Sequence, residues 1–261
     1  MHADVLHITQ QDGIEVWTVN RPDAHNAIAP SVMAAFSAAV SRAALDPALR
    51  AVVLTGAGND TFVSGADLKF LRDATPDARL QNDRGMTAAL EKLANLPVPV
   101  IGALNGQVIG GGVEVALACD LLIAEPHCQV TVKHVAMGIS PGWGGFRRLI
   151  ARVGRGLAAK LLLTATPVSA EDALRAGLFD EVVAPRAALP RALELAQAAA
   201  RTSPSALAAT KALMSQAYAC PITLAEEQAL FELRAASFDH REALSAFFAR
   251  RPAQYRPRGE G

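Results

Sequence analysis

The sequence predicts an α/β protein in which strands and helices alternate as far as about residue 190 and only helices follow. Short β-rich runs are separated by helical patterns, and the clearest predicted strands are Val5–Thr9, Glu15–Asn20, Ala51–Thr55, Val98–Leu104 and Asp120–Ala124. The chain has 261 residues, of which 51% are hydrophobic and 19% charged, so it can bury a core as one domain plus an appendage. We therefore expect repeated β-β-α or βα units around a mixed or parallel sheet.

The helix predictions rest on apolar spacing and on proline positions. From Pro30 to Ala44, apolar side chains recur at helical spacing after a proline near the start, which predicts a helix packed on the core. A second helix is predicted from Pro76 to Leu96, ended by Pro97. Its charged residues are interpreted as a solvated face: Asp77, Arg79, Asp83, Arg84, Glu91 and Lys92.

The C-terminal part is predicted to contain three helices, Leu189–Arg201, Pro204–Ala217 and Leu224–Arg250. Breaks are expected at Ser203-Pro204 and at Pro221, because proline interrupts a helix. The change of pattern near residue 190 divides the chain into a core, residues 1–190, and a helical region, residues 191–261.

Charge and cysteine content exclude several classes of protein. The formal net charge is +0 and no long Lys/Arg run occurs, so neither nucleic acid nor an anionic membrane is an expected partner. Cys119, Cys128 and Cys220 lack Cys-x-x-Cys spacing, which predicts free thiols in a reducing compartment and no metal site. The first residues lack a basic start and an apolar signal core, and no apolar run reaches membrane-spanning length. We expect a cytoplasmic protein.

Two glycine-containing turns carry the strongest functional signal. Three glycines, Gly110 to Gly112, follow a strand-like run and precede Glu114 in an apparent first helical turn. Glycine allows backbone to approach a ligand and to present unpaired N–H groups to it. A second small-residue turn, from Ser64 to Leu68, follows another strand-like segment. Together the two turns could form a two-donor oxyanion hole, whereas each alone is as well explained as a tight turn.

Six segments in characteristic order extend almost from end to end of the chain: Asn20-Arg21-Pro22-Asp23-Ala24-His25-Asn26-Ala27, Ser64-Gly65-Ala66-Asp67-Leu68, Gly110-Gly111-Gly112-Val113-Glu114, Gly138 to Leu149, Ala176 to Val183 and Ala246 to Pro252. In these segments the chain resembles the crotonase superfamily, also called the enoyl-CoA hydratase/isomerase family. The resemblance implies a crotonase-like spiral of repeated ββα units with a C-terminal all-helical trimerisation region, hence a homotrimer or a hexamer made of two trimers.

The resemblance also implies a coenzyme A thioester site. In the family pattern, the oxyanion donors are the amides that match Ala66 and Gly111. Lys69, Phe247 and Arg250 match positions that contact the nucleotide part of CoA. Further substrate contacts are expected at Ser64, Gly65, Asp67, Leu68, Gly110, Pro141, Gly142 and Trp143. No P-loop or Gly-x-Gly-x-x-Gly fingerprint occurs, so no cofactor is expected beyond the CoA of the substrate.

The chemistry implied by the resemblance depends on Glu114 and His134. Glu114 matches one of two catalytic glutamates and is expected to be a general acid/base, whereas His134 stands where hydratases carry the second one. An imidazole can also carry a proton, so hydration of a 2-enoyl-CoA is the leading expectation, with His134 assisting or positioning. Three alternatives remain: a short-chain alkylmalonyl-CoA decarboxylase, an enoyl-CoA isomerase and a non-catalytic CoA-binding protein. The decarboxylase is among them because decarboxylation needs an oxyanion hole but no base.

A different class of enzyme is suggested by Gly138-Ile139-Ser140-Pro141-Gly142, which satisfies Gly-x-Ser-x-Gly. In an α/β-hydrolase, the residue after the serine donates its N–H to the oxyanion. Proline has no N–H, so Pro141 argues against this class and we interpret the motif as accidental.

Overall fold

The computed structural model of the chain describes residues 5–217 and 224–254. Its strands are β1 Leu6–Gln11, β2 Ile14–Val19, β3 Ala51–Gly56, β4 Thr61–Val63, β5 Val100–Leu104, β6 Gln107–Ile109, β7 Leu121–Ala124, β8 Gln129–Thr131, β9 Val168–Ser169 and β10 Glu181–Val182. Its α-helices are α1 Pro30–Ala43, α2 Leu68–Asp73, α3 Pro76–Ala94, α4 Gly111–Ala116, α5 Gly145–Thr164, α6 Ala170–Arg175, α7 Ala188–Ala200, α8 Pro204–Ala217, α9 Leu224–Ala235 and α10 Phe238–Phe248.

The strands form two sheets that the chain visits in turn. The large sheet has the order β1-β2-β3-β5-β7-β10 and the small sheet the order β4-β6-β8-β9. Strands β1 and β2 pair antiparallel, whereas β2, β3, β5, β7 and β10 pair parallel. Three times in succession, a strand of the large sheet is followed by one of the small sheet and then by a helix: β3-β4-α2, β5-β6-α4 and β7-β8-α5. This ββα repeat confirms the predicted fold class.

The main core lies between the two sheets and the helices that cover them. Trp17 and Phe36 meet there edge to face, with ring centroids 5.7 Å apart, and both are fully buried. The core also holds a carboxylate, since Glu15 is 1% exposed and pairs with Arg42. Burial alone would raise the pKa of Glu15, but hydrogen bonds from Arg42 and Trp17 lower it below its usual value.

A second core covers the other face of the large sheet. Ala188, Ala192 and Ala196 line one side of α7 and pack against buried residues of the sheet, among them Val53 and Ile101. These small side chains recur at helical spacing, so they let the helix approach the strands closely.

The predicted last helix, Leu224–Arg250, is wrong in one respect, because the structure contains two helices there, α9 and α10. Ser237 separates them with extended backbone, and its side chain accepts a hydrogen bond from the His240 N–H. A serine in this position is a strong helix N-cap. The prediction followed the apolar pattern alone and therefore missed the break between the two helices.

Cys119 and Cys128 are buried free thiols, and burial raises their pKa values to about 12 and about 11. Cys220 lies outside the described residues. Within the described ranges, no helix combines the length and hydropathy needed to cross a bilayer.

Candidate active site

A cavity of about 1020 Å³ lies where the small sheet meets the C-terminal helices. Its wall draws on segments from Arg21 to Ala253, including the turns after β4 and β6 and parts of α3, α9 and α10. Eleven of the site residues predicted from the sequence line it: Ser64, Ala66, Asp67, Leu68, Lys69, Gly110, Gly111, Glu114, His134, Trp143 and Phe247.

Four predicted substrate-binding residues do not line the cavity. Gly65 lies behind its wall, and Arg250 is exposed outside it. Pro141 and Gly142 also lie behind the wall, where a Cβ on Gly142 would come within 2.3 Å of the Phe231 ring. Gly142 therefore allows α9 to approach the glycine-rich turn.

The two predicted oxyanion segments are in direct contact. Gly65 has φ 91°, and a Cβ at this position would lie 2.7 Å from the amide nitrogen of Gly111. Ala66 forms a parallel bridge with Ile28, whose two hydrogen bonds use the Gly65 carbonyl and the Asp67 N–H. The bridge therefore leaves the Ala66 N–H unused.

The Gly111 N–H is available for a different reason. Gly111 is the first residue of α4, so no earlier helical turn accepts its N–H. Gly110 precedes it with φ 54°, and a Cβ on Gly112 would lie only 1.8 Å from the carbonyl oxygen of Val63. The first two glycines shape the turn, and Gly112 lets α4 pass directly over β4.

Glu114 is 3% exposed and its carboxylate has four hydrogen-bond partners. Oε2 accepts the N–H groups of Trp143 at 2.7 Å and Gly145 at 2.8 Å. Oε1 accepts the Gly142 N–H at 3.4 Å and lies 3.0 Å from Nε2 of His134. The carboxylate thus occupies the N-terminus of α5, where backbone N–H groups and the helix dipole stabilise negative charge.

Local sequence explains why α5 can hold this carboxylate. Gly144 caps the helix with φ 84°. A Cβ on Gly145 would lie 2.3 Å from Cγ of Glu114, so any other residue would displace the acid. The Gly142-Trp143-Gly144-Gly145 run is therefore a carboxylate cradle.

His134 is 6% exposed and borders both Glu114 and the cavity. Its Nδ1 atom is buried and has no hydrogen-bond partner among the residues that the structure describes. The contact between Glu114 and His134 joins the two predicted catalytic residues, which lie 20 positions apart in the sequence.

Asp83 lines the cavity, although the sequence analysis predicted it on a solvated face. The interpretation of the α3 charges as a solvated face is wrong for Asp83, which is 5% exposed and accepts a hydrogen bond from Trp143 Nε1 at 3.2 Å. Burial raises its pKa to about 7, the hydrogen bond from Trp143 lowers it, and the charges of Glu114 and Glu232 raise it further. No sequence signal distinguishes this aspartate from the exposed Asp77 of the same helix.

Trp143 links Asp83 to the oxyanion segment. A Cβ on Gly111 would lie 2.5 Å from the Trp143 ring, so the indole covers the Gly111 backbone directly. Since its ring N–H is held by Asp83 and its backbone N–H by Glu114, the indole has a fixed position in the cavity wall.

The mouth of the cavity carries cationic and aromatic groups. Lys69 and Phe247 line it, and the Phe247 side chain is 54% exposed. Arg21 also lines it and forms an ion pair with Asp67 at 2.9 Å. Burial would raise the pKa of Asp67, but hydrogen bonds from Arg21 and from two backbone N–H groups of α2 lower it.

The C-terminal helical region contributes a buried histidine to the wall of the cavity. His240 on α10 donates its Nδ1–H to the carbonyl oxygen of Met137 at 2.7 Å. Burial lowers its pKa, which keeps the ring neutral. Part of the C-terminal region therefore completes the cavity.

The Gly-x-Ser-x-Gly motif does not form a hydrolase triad. The Oγ atom of Ser140 is buried and has no hydrogen-bond partner within the described ranges. Among the acidic and basic residues downstream of the motif, Asp180 accepts hydrogen bonds from Arg152 and the Leu122 N–H, and His240 donates to the Met137 carbonyl oxygen. Without an adjacent base, the serine is not activated.

Known proteins match this chain over nearly its whole length. A family model described as enoyl-CoA hydratase/isomerase matches residues 9–258. The chain is 35% identical to a 2,3-dehydroadipyl-CoA hydratase of Escherichia coli over 97% of this chain and 99% of that protein. It is 34% identical to a short-chain-enoyl-CoA hydratase of Clostridium acetobutylicum, covering 96% and 97% of the two chains. A crystal structure of carnitinyl-CoA hydratase from Mycobacterium avium matches with a TM-score of 0.85 and 30% identity over 97% and 98% of the chains.

Proposed function

Because the chain belongs to the enoyl-CoA hydratase/isomerase family, we propose that it hydrates a 2-enoyl-CoA thioester by way of an enolate. The observation that carries the proposal is the placement of Ala66 and Gly111 on the same cavity as the Glu114–His134 pair. The relatives named as enoyl-CoA hydratases over nearly their whole length support the same reaction.

The two amides act on the thioester carbonyl. When a nucleophile adds to the β-carbon of a conjugated thioester, negative charge collects on the carbonyl oxygen. The N–H groups of Ala66 and Gly111 stabilise this charge without reorganising, and one such donor contributes about 10²–10³ in rate. Both donors belong to the backbone, so their positions depend on Gly65 and on the turn at Gly110.

The Glu114–His134 pair completes the addition of water. The oxygen of a water molecule bonds to the β-carbon, one of its protons passes to the pair, and the π electrons move to form the enolate. A proton from the pair then bonds to the α-carbon and the carbonyl re-forms. The addition causes no net change in oxidation state, so the step requires no redox cofactor.

The open end of the cavity fits the CoA portion. Lys69 supplies a cation for the phosphates, and Phe247 offers an exposed aromatic face beside it. Arg250 lies outside the wall and donates its N–H to the Phe247 carbonyl oxygen, so we assign to it the support of this end of the site. Pro141 and Gly142 lie behind the wall, and we assign to them the support of the Glu114 end. Trp143 shapes the acyl end.

We also propose that the protein is a cytoplasmic homotrimer or a hexamer of two trimers, with residues 191–261 as the helical oligomerisation region. Two apolar side chains of α8 support an interface, since Leu213 is 66% and Met214 48% exposed. Exposed apolar side chains that lie together commonly mark an interface. Analytical ultracentrifugation of the purified protein tests the assembly.

Mass spectrometry of purified protein with acyl-CoA substrates tests the reaction. We expect addition of water to crotonyl-CoA or to a longer 2-enoyl-CoA, and loss of that activity in Glu114→Ala prepared in parallel. Loss of CO₂ from methylmalonyl-CoA or ethylmalonyl-CoA would identify a decarboxylase, and a shift of the double bond an isomerase. Binding of the whole panel without turnover would overturn catalysis altogether.

A further inference from the structure

The cavity wall carries two polar side chains that the proposed hydration does not use. Arg79 and Asp83 both line the cavity and both belong to α3, four positions apart, so they lie one turn apart on the same face of the helix. Asp83 is at the acyl end, because it holds the ring N–H of Trp143, whose indole covers Gly111. The addition of water requires neither side chain.

Asp83 presents one oxygen atom to the cavity. Its side chain is 5% exposed, and Oδ1 accepts the Trp143 ring N–H at 3.2 Å. Oδ2 is not one of the fully enclosed polar atoms, and no donor in the described part of the chain bonds to it. Because this buried residue lines the cavity, the open space beside Oδ2 is the cavity. In the neutral acid Oδ1 remains the acceptor, so Oδ2 carries the proton and is an O–H donor.

Arg79 brings a positive charge to the same face of α3. Its Nε and Nη2 atoms donate to the carbonyl oxygens of Ala74 at 3.1 Å and Arg72 at 3.2 Å, which holds the guanidinium at the α2–α3 turn. Among the residues that the structure describes, no carboxylate lies within ion-pair distance of it, and Nη1 has no protein acceptor. The pKa of His240, another residue of the wall, is lowered by burial and also by the charge of Arg79.

A plain hydrocarbon chain would not suit this part of the cavity. Other wall residues here are apolar, among them Met137, Ile139 and Phe231. An alkyl chain would remove water from Arg79 and Asp83 without replacing its hydrogen bonds, and an unpaired polar group costs about 1–3 kcal/mol, more when it is charged. A carboxylate would satisfy both groups, because it accepts from the guanidinium and from the Oδ2–H.

We propose that Arg79 and Asp83 bind a carboxylate at the far end of the acyl chain, so that the preferred substrate is an ω-carboxy-2-enoyl-CoA. This inference rests on the proposed hydration and specifies its substrate class. Arg79 supplies the positive charge, and Asp83 in its acid form supplies a hydrogen bond from Oδ2. Neither has a part in the proton transfers, so both are specificity-determining residues.

The role of Asp83 makes the preference depend on pH. Burial raises its pKa to about 7, and the negative charges of Glu114 and Glu232 raise it further. Below this pH the acid donates to a bound carboxylate, whereas above it the ionised Asp83 repels the carboxylate. The charged and titratable groups around this end of the cavity lie on α3, α4, the segment after β8, α9 and α10: Arg79, Arg84, Glu114, His134, Glu232 and His240.

Binding of matched acyl-CoA pairs tests the assignment. Each pair is a saturated acyl-CoA and its ω-carboxy analogue of equal length, titrated into the purified protein in a calorimeter at about pH 6. At the chain length that reaches Arg79, wild type should bind the ω-carboxy member about 10–100-fold more tightly. Arg79→Gln should lose this preference. A loosened α2–α3 turn would weaken both members alike, so the ratio of the two Kd values isolates recognition of the carboxylate.

Two further variants make the test specific. Arg84→Gln is the matched control and should keep the wild-type ratio, because Arg84 lies on the same helix but pairs with Glu232 away from the cavity. Asp83→Asn can keep the Trp143 bond and places an amide N–H where the acid has its O–H. It should hold the preference constant up to about pH 8.5, whereas the wild-type preference falls about tenfold. A wild-type ratio that does not change with pH would overturn the role of Asp83.

Equal binding of both members at every chain length would overturn the inference, and so would an equal loss of both in Arg79→Gln. The same pairs prepared as 2-enoyl-CoAs distinguish this failure from a failure of the proposed function. Hydration of the unmodified chains without preference for a carboxylate would refute the carboxylate site alone. Hydration of no member would refute the proposed function, and the binding ratios would still decide whether Arg79 and Asp83 bind a carboxylate.

Discussion

The buried Asp83 gives a prediction about stability whose sign follows from its position in the cavity wall. Asp83 is 5% exposed, and burial raises its pKa to about 7, whereas an aspartate in an unfolded chain titrates near a pKa of about 3.9. The folded protein therefore binds more protons than the unfolded chain between these two pH values. Stability consequently falls as pH rises from about 4 to about 7 and levels off above the folded pKa.

Asp83→Asn removes this titration and keeps an oxygen that can accept the Trp143 ring N–H. A difference of about three pKa units corresponds to about 4 kcal/mol, which is an upper bound because the site relaxes when it ionises. We expect the variant to match wild type near pH 4 and to be more stable by up to about 4 kcal/mol at pH 8.

Urea unfolding from pH 4 to pH 8.5, at a fixed protein concentration, measures this difference. Asp77→Asn is the matched control, because Asp77 lies exposed on the same helix and should leave the wild-type profile unchanged. Parallel stability profiles for wild type and Asp83→Asn would refute the reasoning. They would mean that the folded protein holds an ionised Asp83 without penalty.

Three further predictions concern the scaffold, each measured by urea unfolding. Gly112→Ala should cost more than about 3 kcal/mol and lower the yield of folded protein, because its Cβ would meet the Val63 carbonyl oxygen at 1.8 Å. Arg42→Ala should cost about 2 kcal/mol at pH 7 by leaving the buried Glu15 carboxylate without its cation, less than for a fully buried pair because the Arg42 side chain is 47% exposed. This deficit should fade as pH falls towards and below about 4.3, where Glu15 becomes protonated. Ser237→Ala should cost about 1 kcal/mol, since it removes the side-chain cap of α10.

Each of these predictions has an outcome that contradicts it. Gly112→Ala with wild-type stability would mean that α4 can move away from β4 at no cost. An Arg42→Ala deficit that stays constant down to pH 3 would show that charge pairing is not its cause. Ser237→Thr should retain the cap, so equal losses in the Ala and Thr variants would exclude capping as the reason.

The strands of the large sheet could be predicted because each is long enough to show a pattern. The five predicted strands correspond to β1, β2, β3, β5 and β7 with small differences at their ends. Strands β4, β6 and β8 have three residues each, too few for a period to be recognised, and they run directly into the functional turns. The pattern alone therefore left β-β-α and βα units open, the family resemblance implied the ββα repeat, and the structure confirms that repeat.

The candidate site shows a similar division. Glycine runs mark Gly65 and Gly110 to Gly112 in the sequence, because their backbone geometry restricts the residue type. The cradle, Gly142 to Gly145, is also glycine-containing, but nothing in the sequence links it to Glu114, since its donors are main-chain N–H groups 28 to 31 positions away. Asp83 was missed because helix periodicity describes which face a residue lies on and not which other element covers that face.

The contribution of α9 and α10 to the cavity wall has a consequence for biosynthesis. The Glu114–His134 pair and its cradle have been synthesised once translation passes residue 145. Phe231, His240 and Phe247 are added about 100 residues later. At about 5–20 residues per second, roughly 5–20 s of translation separate the two. A ribosome-bound chain can hold the reactive groups before it has closed the chamber around them, so the complete cavity forms only after α9 and α10 have been synthesised.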